Sequence, residues 1–166
     1  MRKGDRFKVL ITVVLLIFII LIGFFLYYKI TGYAIISSIS IANLSLIDAD
    51  RDVVVQGFEN LQDGIVINLA NLPTRNITIA AFVRGNVKSI IFGLDDNQRY
   101  RYEGSFPYSI SGDDTGGNYR PWNVPLGTHT LNVTPYATYT TAGDRGESKT
   151  VSITFIDQIS ISTDMV

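Results

Sequence analysis

The pattern of hydrophobic and polar residues changes once along the chain, close to residue 35. The segment before it contains Val9 to Tyr28, VLITVVLLIFIILIGFFLYY, which is twenty residues without a charged side chain. A helix of that length is roughly 30 Å long at about 1.5 Å per residue, which matches the hydrocarbon core of a bilayer. A lone segment in lipid satisfies its backbone hydrogen bonds as a helix. The run therefore predicts a transmembrane helix over residues 9–30.

From about residue 36 onward, apolar and polar residues alternate with a period of two. This alternation is typical of strands with one buried and one solvated face. Turn-forming Gly, Asp and Asn residues separate the alternating runs, and no segment shows a sustained helical period. The runs with the clearest alternation are Ile77–Val83, Ile90–Leu94, Leu131–Val133 and Val151–Phe155. The pattern predicts an all-β fold, an antiparallel β-sandwich over residues 36–157, followed by a polar tail at 158–166.

The first predicted strand contains an irregularity. Its apolar positions shift by one residue between Ile39/Ile41 and Leu44/Leu46. An extra residue in one strand of a pair produces such a shift, and we therefore expect a β-bulge near Ala42-Asn43.

The charges around the apolar run predict its orientation. Four basic residues precede it within eight positions, Arg2, Lys3, Arg6 and Lys8, whereas only Lys29 follows closely. Positive flanks stay on the cytoplasmic side. Residues 1–8 are therefore predicted to be a cytoplasmic leader, the helix a signal anchor, and the sandwich an extracellular domain of a single-pass protein of the cell membrane.

Two other interpretations of the N-terminal segment remain open. A cleaved signal peptide would use Gly32-Tyr33-Ala34 as a small-x-small site, although the apolar run is longer than the usual 7–15 residues. A pilin-type leader would end at Gly4, within Met1-Arg2-Lys3-Gly4, and would place the helix in a filament core. The position where bacterial pilins carry an acidic residue is here Val9.

Composition excludes several classes of function. The chain has no cysteine, which removes disulfides, thiolate nucleophiles and cysteine metal sites. Its 14 basic and 15 acidic residues are unevenly divided, since residues 1–30 contain five basic residues and one acidic residue. The remaining nine basic and fourteen acidic residues give the predicted ectodomain a net charge of −5. A mildly acidic domain repels phosphate backbones, and we expect no nucleic-acid partner.

A series of motifs, in order, gives the ectodomain a resemblance to a known family. The motifs are Leu46 to Asp50 (LIDAD), Ile67 to Ile77 (INLANLPTRNI), Phe92 to Asn97 (FGLDDN), Tyr100 to Glu103 (YRYE), Pro107-Tyr108, the loop from Gly112-Asp113 to Tyr119 and Trp122, and Gly127 to Tyr136 (GTHTLNVTPY). With these motifs the ectodomain resembles the Ig-like accessory modules of prokaryotic secreted and surface proteins. The resemblance covers roughly residues 39–156. It implies a module found beside malectin-like, cadherin-like and glycoside hydrolase domains, without a catalytic role of its own.

Acidic residues in two predicted turns are candidate cation ligands. Asp48, Asp50 and Asp52 alternate along one turn, and Asp113-Asp114 lie on a glycine-rich loop. Calcium prefers several carboxylate and carbonyl oxygens, so Asp48, Asp50, Asp113 and Asp114 are weak calcium candidates. The alternative interpretation is that these residues cap and solvate strand ends, because the spacing lacks the glycine and distal glutamate of an EF-hand loop.

Aromatic residues of two segments are candidate ligand-binding residues. Tyr100, Tyr102, Tyr119 and Trp122 would form a platform for sugar rings, with Arg120 adding hydrogen bonds. The alternative is that the single Trp of a sandwich packs between its sheets.

The remaining polar candidates are one histidine and three sequons. His129 has no second histidine or cysteine for a zinc site, and we expect it to face solvent, either opposite the side of Leu131 or near a sheet edge. Asn43, Asn76 and Asn132 each begin an Asn-x-Ser/Thr sequon and are glycosylation candidates, with Asn76 and Asn132 predicted on the solvated face.

No paired carboxylates, metal cluster or activated nucleophile can be named, so the sequence favours a protein that is not an enzyme and needs no cofactor. The leading hypothesis is a membrane-anchored surface protein whose Ig-like domain mediates extracellular binding, adhesion or spacing. Its expected partners are the lipid bilayer and an extracellular protein or glycan, and self-association remains open. The alternatives are a pilin-like filament subunit and a carbohydrate-binding module.

Overall fold

The computed structural model describes residues 3–33 and 39–159, which form parts of two compact units, Met1–Ser37 and Ser38–Val166. The first unit contains one helix, α1 (Lys3–Tyr33), which extends beyond the predicted 9–30 at both ends. The strands of the described residues all belong to the second unit. The polar tail predicted at 158–166 lies outside the described residues from 160 onward.

Helix α1 is apolar around its circumference along its central part. The large apolar side chains between Ile11 and Tyr27 are between 44% and 67% exposed. Within residues 3–33 and 39–159, no helix meets both the length and the hydropathy of a membrane span.

Within residues 39–159 of the second unit there are nine strands and one short 3-10 turn (Leu69–Asn71). In chain order the strands are β1 (Ser40–Asp48), β2 (Val53–Val54), β3 (Ile65–Asn68), β4 (Ile77–Arg84), β5 (Ser89–Leu94), β6 (Asn97–Glu103), β7 (Tyr108–Ser109), β8 (Gly127–Tyr136) and β9 (Lys149–Ile156). Apart from that short turn, the regular secondary structure of the described part of this unit is thus all β-strand, as the period-two pattern predicts.

The strands form two sheets in an Ig-like order. One sheet has the order β2-β1-β4-β7 and the other β3-β9-β8-β5-β6. If β1, β4 and β7 are read as strands A, B and E of an immunoglobulin sandwich, then β5, β8 and β9 are strands C, F and G, which are neighbours in the second sheet. The strand order of the chain itself therefore establishes the Ig-like sandwich.

Strand pairing confirms one prediction and corrects another. The register between β1 and β4 shifts between Ile41 and Asn43, which is the bulge expected at Ala42-Asn43. The sandwich is not wholly antiparallel, however, because β3 pairs parallel to β9. The chain reaches β3 by crossing from the first sheet to the second, and it therefore arrives alongside the last strand in the same direction.

The core lies between the sheets and is built from the predicted apolar positions. Phe92, Leu131 and Phe155 are almost fully buried, together with the apolar positions of β1 and β4. The prediction of one solvated face fails for β4, because Thr78 and Ala80 on its other face are also buried. The hydroxyl of Thr78 lies 2.6 Å from the Ser111 hydroxyl, so the segment after β7 covers this face.

Candidate functional site

The four calcium candidates lie at one end of the sandwich, here called the acidic end, together with Asn76, Tyr119, Arg120 and Trp122. It comprises the connecting segments 48–52, 73–76, 95–96, 113–126 and 157–159. These segments contain eight acidic and three basic residues, a net charge of −5. The segments meet because β1, β5 and β9 end here while β4, β6 and β8 begin here.

The turn after β1 is organised by two carboxylates. Asp48 is buried, and its Oδ1 accepts hydrogen bonds from the backbone N–H groups of Asp50 (2.9 Å) and Arg51 (3.2 Å). Asp50 accepts from the Thr74 hydroxyl (2.5 Å) and from Asn76 Nδ2 (2.7 Å). These hydrogen bonds, with Thr74 the larger contributor, hold the pKa of Asp50 below its ordinary value. Asp48 thus closes the turn after β1, and Asp50 ties that turn to the segment before β4.

The glycine-rich loop uses its carboxylate in the same way. Asp114 accepts hydrogen bonds from the backbone N–H groups of Gly116 (2.8 Å) and Asn118 (3.0 Å) and from Asn118 Nδ2 (3.0 Å). This set of donors, led by the Asn118 side chain, lowers the pKa of Asp114. Asp113 pairs with Tyr119 in an isolated bridge across the loop.

These carboxylates do not converge on one point. In the described part of the chain, no three His, Cys, Asp or Glu side chains gather as the ligands of a metal ion would. Asp48, Asp50 and Asp114 are each engaged by two or three donors of the protein itself. The local hydrogen bonds support the turn-capping interpretation, and calcium binding remains a prediction.

Trp122 lies in the core and does not form a surface platform. Its backbone N–H donates to the carbonyl of Ile77 (2.7 Å), and its ring meets Phe155 edge to face at 5.8 Å between centroids. The side chain is buried, and its Nε1 donates to the Tyr100 hydroxyl at 3.0 Å. The ring is therefore a packing element, and Tyr100 satisfies its polar atom from the exposed side.

A second bulge separates Tyr100 from Tyr102. The register between β5 and β6 shifts between Phe92 and Leu94. Tyr100 consequently reaches Trp122 in the core, whereas the Tyr102 hydroxyl donates to the Tyr139 carbonyl in the loop after β8. The structure does not bring the five predicted platform residues together.

Arg120 belongs to a charged cluster that the sequence analysis did not predict, and Tyr119 is its neighbour in the chain. This edge cluster consists of Arg101, Glu103, Gly112 and Arg120, between β6 and the segment after β7. Arg101 Nε contacts Glu103 Oε1, and a Cβ at Gly112 would collide with the Arg101 guanidinium. The side chain of Glu103 is 7% exposed, and its burial raises its pKa, while Arg101 opposes that shift. Burial likewise raises the pKa of Tyr119, and the charge of Asp52 adds to the effect.

His129 lies on the opposite face from the one expected. It shares the side of Leu131, since both have the same parity in β8, and its side chain is mostly buried. Its Nδ1 lies 2.7 Å from Asp95 Oδ2, and Asp95 Oδ1 accepts from the backbone N–H of Thr130 (2.8 Å). The imidazole hydrogen bond, followed by that of Thr130, lowers the pKa of Asp95. The pair fastens the β5–β6 turn to β8.

The side-chain amides of the three sequon asparagines donate hydrogen bonds to other residues of the sandwich. Asn76 is exposed and donates to Asp50, as described above. Asn132 donates to the Thr150 hydroxyl (2.7 Å), and Asn43 donates to the Ser45 hydroxyl (2.8 Å) and to the Glu59 carbonyl (2.7 Å). Asn132 and Asn43 are partly buried. Glycosylation at all three positions remains a prediction.

Comparison with known proteins gives one structural similarity. No protein-family model and no curated protein matches the chain. Among solved structures, the chain is similar to a fibronectin(III)-like module of CbhA from Clostridium thermocellum. The two are 14% identical with a TM-score of 0.35, over 58% of this chain and 88% of that one. The Ig-like assignment of this chain rests on its own strand order.

Proposed function

We propose that the chain is a single-pass membrane protein that displays a non-enzymatic Ig-like sandwich outside the cytoplasm, where the sandwich binds or spaces other surface components. The observation that carries the proposal is the division of the chain. One unit is a helix whose apolar side chains remain exposed from Ile11 to Tyr27, and the other is a sandwich with its own core.

The exposed apolar side chains of the helix support the proposed membrane anchor. An exposed apolar helix is stable only when lipid or other apolar surfaces surround it. The sequence continues the uncharged run on both sides of the described side chains, from Val9 to Tyr28. The exposed side chains of Arg6 and Lys8 lie just before that run and support an N-terminus on the cytoplasmic side.

The acidic end supports a structural or binding role over catalysis. The carboxylates of Asp48, Asp50 and Asp114 accept hydrogen bonds from backbone and side-chain donors that shape turns. The platform for sugar rings gains no support, because Trp122 is buried. A filament subunit would use the same exposed helix for packing against copies, and it requires cleavage after Gly4.

Protease treatment of intact cells tests the orientation. We expect protease to digest the sandwich and to spare an epitope tag placed before Met1. A variant with Arg2, Lys3, Arg6 and Lys8 made neutral and lysines added after Tyr28 should place part of the population in the inverted orientation. The matched control carries the added lysines alone.

Two results would contradict the proposal. A wild-type sandwich that is digested only after lysis would be cytoplasmic. A mature chain that begins at Asp5 would instead support the filament subunit, and mass spectrometry of the purified chain detects that cleavage.

A further inference from the structure

The two ends of the sandwich carry opposite charge. The end opposite the acidic end, here called the entry end, is where the chain enters β1 at Ser40. It comprises the connecting segments 84–88, 104–107 and 137–149, because Arg84 pairs with Ser40 and Tyr136 pairs with Ser89. These segments contain four basic and two acidic residues, a net charge of +2, against −5 at the acidic end. The entry end thus has a net positive charge, although the domain as a whole has a net negative charge.

Exposed aromatic rings accompany the basic residues. Tyr139 is 65% exposed and Phe106 is 68% exposed. Lys88 Nζ lies 5.8 Å from the centroid of the Tyr139 ring. Phe106 meets Tyr108 edge to face at 6.3 Å, and the Tyr108 hydroxyl donates to the carbonyl of Val87 (3.1 Å). The two exposed rings therefore flank the same β4–β5 turn.

The loop that carries Tyr139 is held in place by other contacts. Ser89 Oγ donates to the Thr138 carbonyl (2.7 Å), and the Gly146 backbone N–H donates to the Pro135 carbonyl (2.9 Å). The Tyr102 hydroxyl donates to the Tyr139 carbonyl. The exposure of the ring is thus a property of an ordered loop.

The basic residues of this end are available to an external anion. Among residues 3–33 and 39–159, the ion pairs involve Arg51, Arg75, Arg101 and His129. Arg84 and Arg145 are exposed and belong to none of these pairs. Within residues 39–159, therefore, no carboxylate forms an ion pair with either arginine.

We propose that the entry end docks on the anionic lipid headgroups of the membrane that holds the chain. Basic residues near an anionic surface are attracted within about one Debye length, and Tyr and Phe rings partition into the headgroup region. In the sequence, residues 34–38 join the described end of α1 to the described start of the sandwich, which is at the entry end. The proposal rests on the membrane anchoring proposed above. Docking would direct the acidic end away from the bilayer.

Fluorescent labels on single introduced cysteines test the docking. Each label is specific to its site because the chain has no cysteine of its own. One label is placed at Asn86→Cys in the entry end and a matched label at Asp96→Cys in the acidic end. The full chain is reconstituted in vesicles of phosphatidylcholine alone or mixed with phosphatidylglycerol, each with a headgroup spin label as quencher. We expect quenching at residue 86 to increase with the anionic lipid and to decrease with added salt, while residue 96 stays unquenched.

Charge reversal separates docking from simple tethering. Arg84→Glu with Arg145→Glu should lower the docked fraction in anionic vesicles by about tenfold or more. Arg51→Glu with Arg120→Glu, an equal change in charge at the acidic end, should leave quenching at residue 86 unchanged. Tyr139→Ser with Phe106→Ser should weaken docking in both lipids.

The possible failures are distinguishable. A labelled chain that does not float with the vesicles would overturn both the anchor and the docking. A chain that floats, but whose residue 86 is quenched equally in both lipids and after the Arg84/Arg145 reversal, would overturn the docking alone. Quenching at residue 96 that exceeds quenching at residue 86 would also overturn it.

Discussion

The helix and the sandwich contain the same types of apolar side chain, but these are exposed in the helix and buried in the sandwich. The large apolar residues from Ile11 to Tyr27 are at least 44% exposed, whereas Phe92 and Leu131 in the sandwich are 0% and 1% exposed. The sandwich interrupts its apolar residues with polar ones at every second position, so that each strand supplies one face to a shared core. The helix has no such alternation, and its large apolar side chains from Ile11 to Tyr27 are exposed. The described sandwich therefore buries its apolar side chains in its own core, whereas α1 leaves its apolar side chains exposed.

The largest expected effect is the loss of a core side chain. Phe92→Ala should lower the free energy of unfolding of the sandwich by about 3–5 kcal/mol, because the ring is fully buried between the sheets. Val66→Ala is the matched control, since Val66 is apolar but exposed, and it should change stability by less than about 0.5 kcal/mol. Chemical denaturation of both variants measures the difference. Equal effects would contradict the assignment of faces.

An intermediate effect is expected where the core reaches the surface at Trp122. Tyr100→Phe removes the acceptor of the buried Trp122 Nε1–H, so we expect a loss of about 1–3 kcal/mol in the free energy of unfolding. Tyr102→Phe removes the hydroxyl of the neighbouring tyrosine, which donates to an exposed loop carbonyl. It should cost about 0.5–1.5 kcal/mol. If Tyr102→Phe proved the more damaging, the bulge that separates the two tyrosines would be incorrectly placed.

The smallest expected effect is a pH dependence at the acidic end. The pKa values of Asp50 and Asp114 are lowered in the folded chain by hydrogen bonds from Thr74 and Asn118. These carboxylates therefore contribute stability above about pH 4, and that contribution is lost as the pH falls through their folded pKa values. Glu103 acts in the opposite direction, because burial raises its pKa and its contribution is lost as the pH rises.

Thermal unfolding as a function of pH tests this balance. Asp114→Asn keeps an acceptor for the loop N–H groups but does not titrate, so the midpoint should fall less steeply in acid than in the wild type. Asp96→Asn, in an exposed turn of the same end, should follow the wild-type curve. A wild-type midpoint that rises as the pH falls below about 4 would show that the lowered pKa values do not control acid stability.

The regular parts of the fold follow from the sequence because one periodicity determines them. The alternation in β5, β8 and β9 places Phe92, Leu131 and Phe155 in the core. The one-residue shift of apolar positions in β1 locates its bulge, because a bulge changes which residues share a face.

The remaining features depend on contacts between distant segments. The bulge in β6 lies in a charged, mostly exposed strand, where no apolar set reveals a shift, so Tyr100 and Tyr102 were expected together. Thr78 is buried by a loop more than thirty residues later, through Ser111. His129 and Leu131 are two residues apart in β8, and this spacing alone places them on the same face of the strand. The prediction of a solvent-facing histidine opposite Leu131 is therefore inconsistent with the period of a strand.

Membrane fractionation of the full chain tests the central claim most directly. After an alkaline carbonate wash, the wild-type chain should remain with the membranes. Leu16→Asp with Ile20→Asp should shift it to the soluble fraction, because each charge at the centre of a membrane helix costs about 2.5–3.5 kcal/mol on insertion. Val66→Asp, the same change at an exposed apolar position of the sandwich, should leave the chain with the membranes. A wild-type chain recovered in the soluble fraction, or a double variant that fractionates like the wild type, would contradict the account.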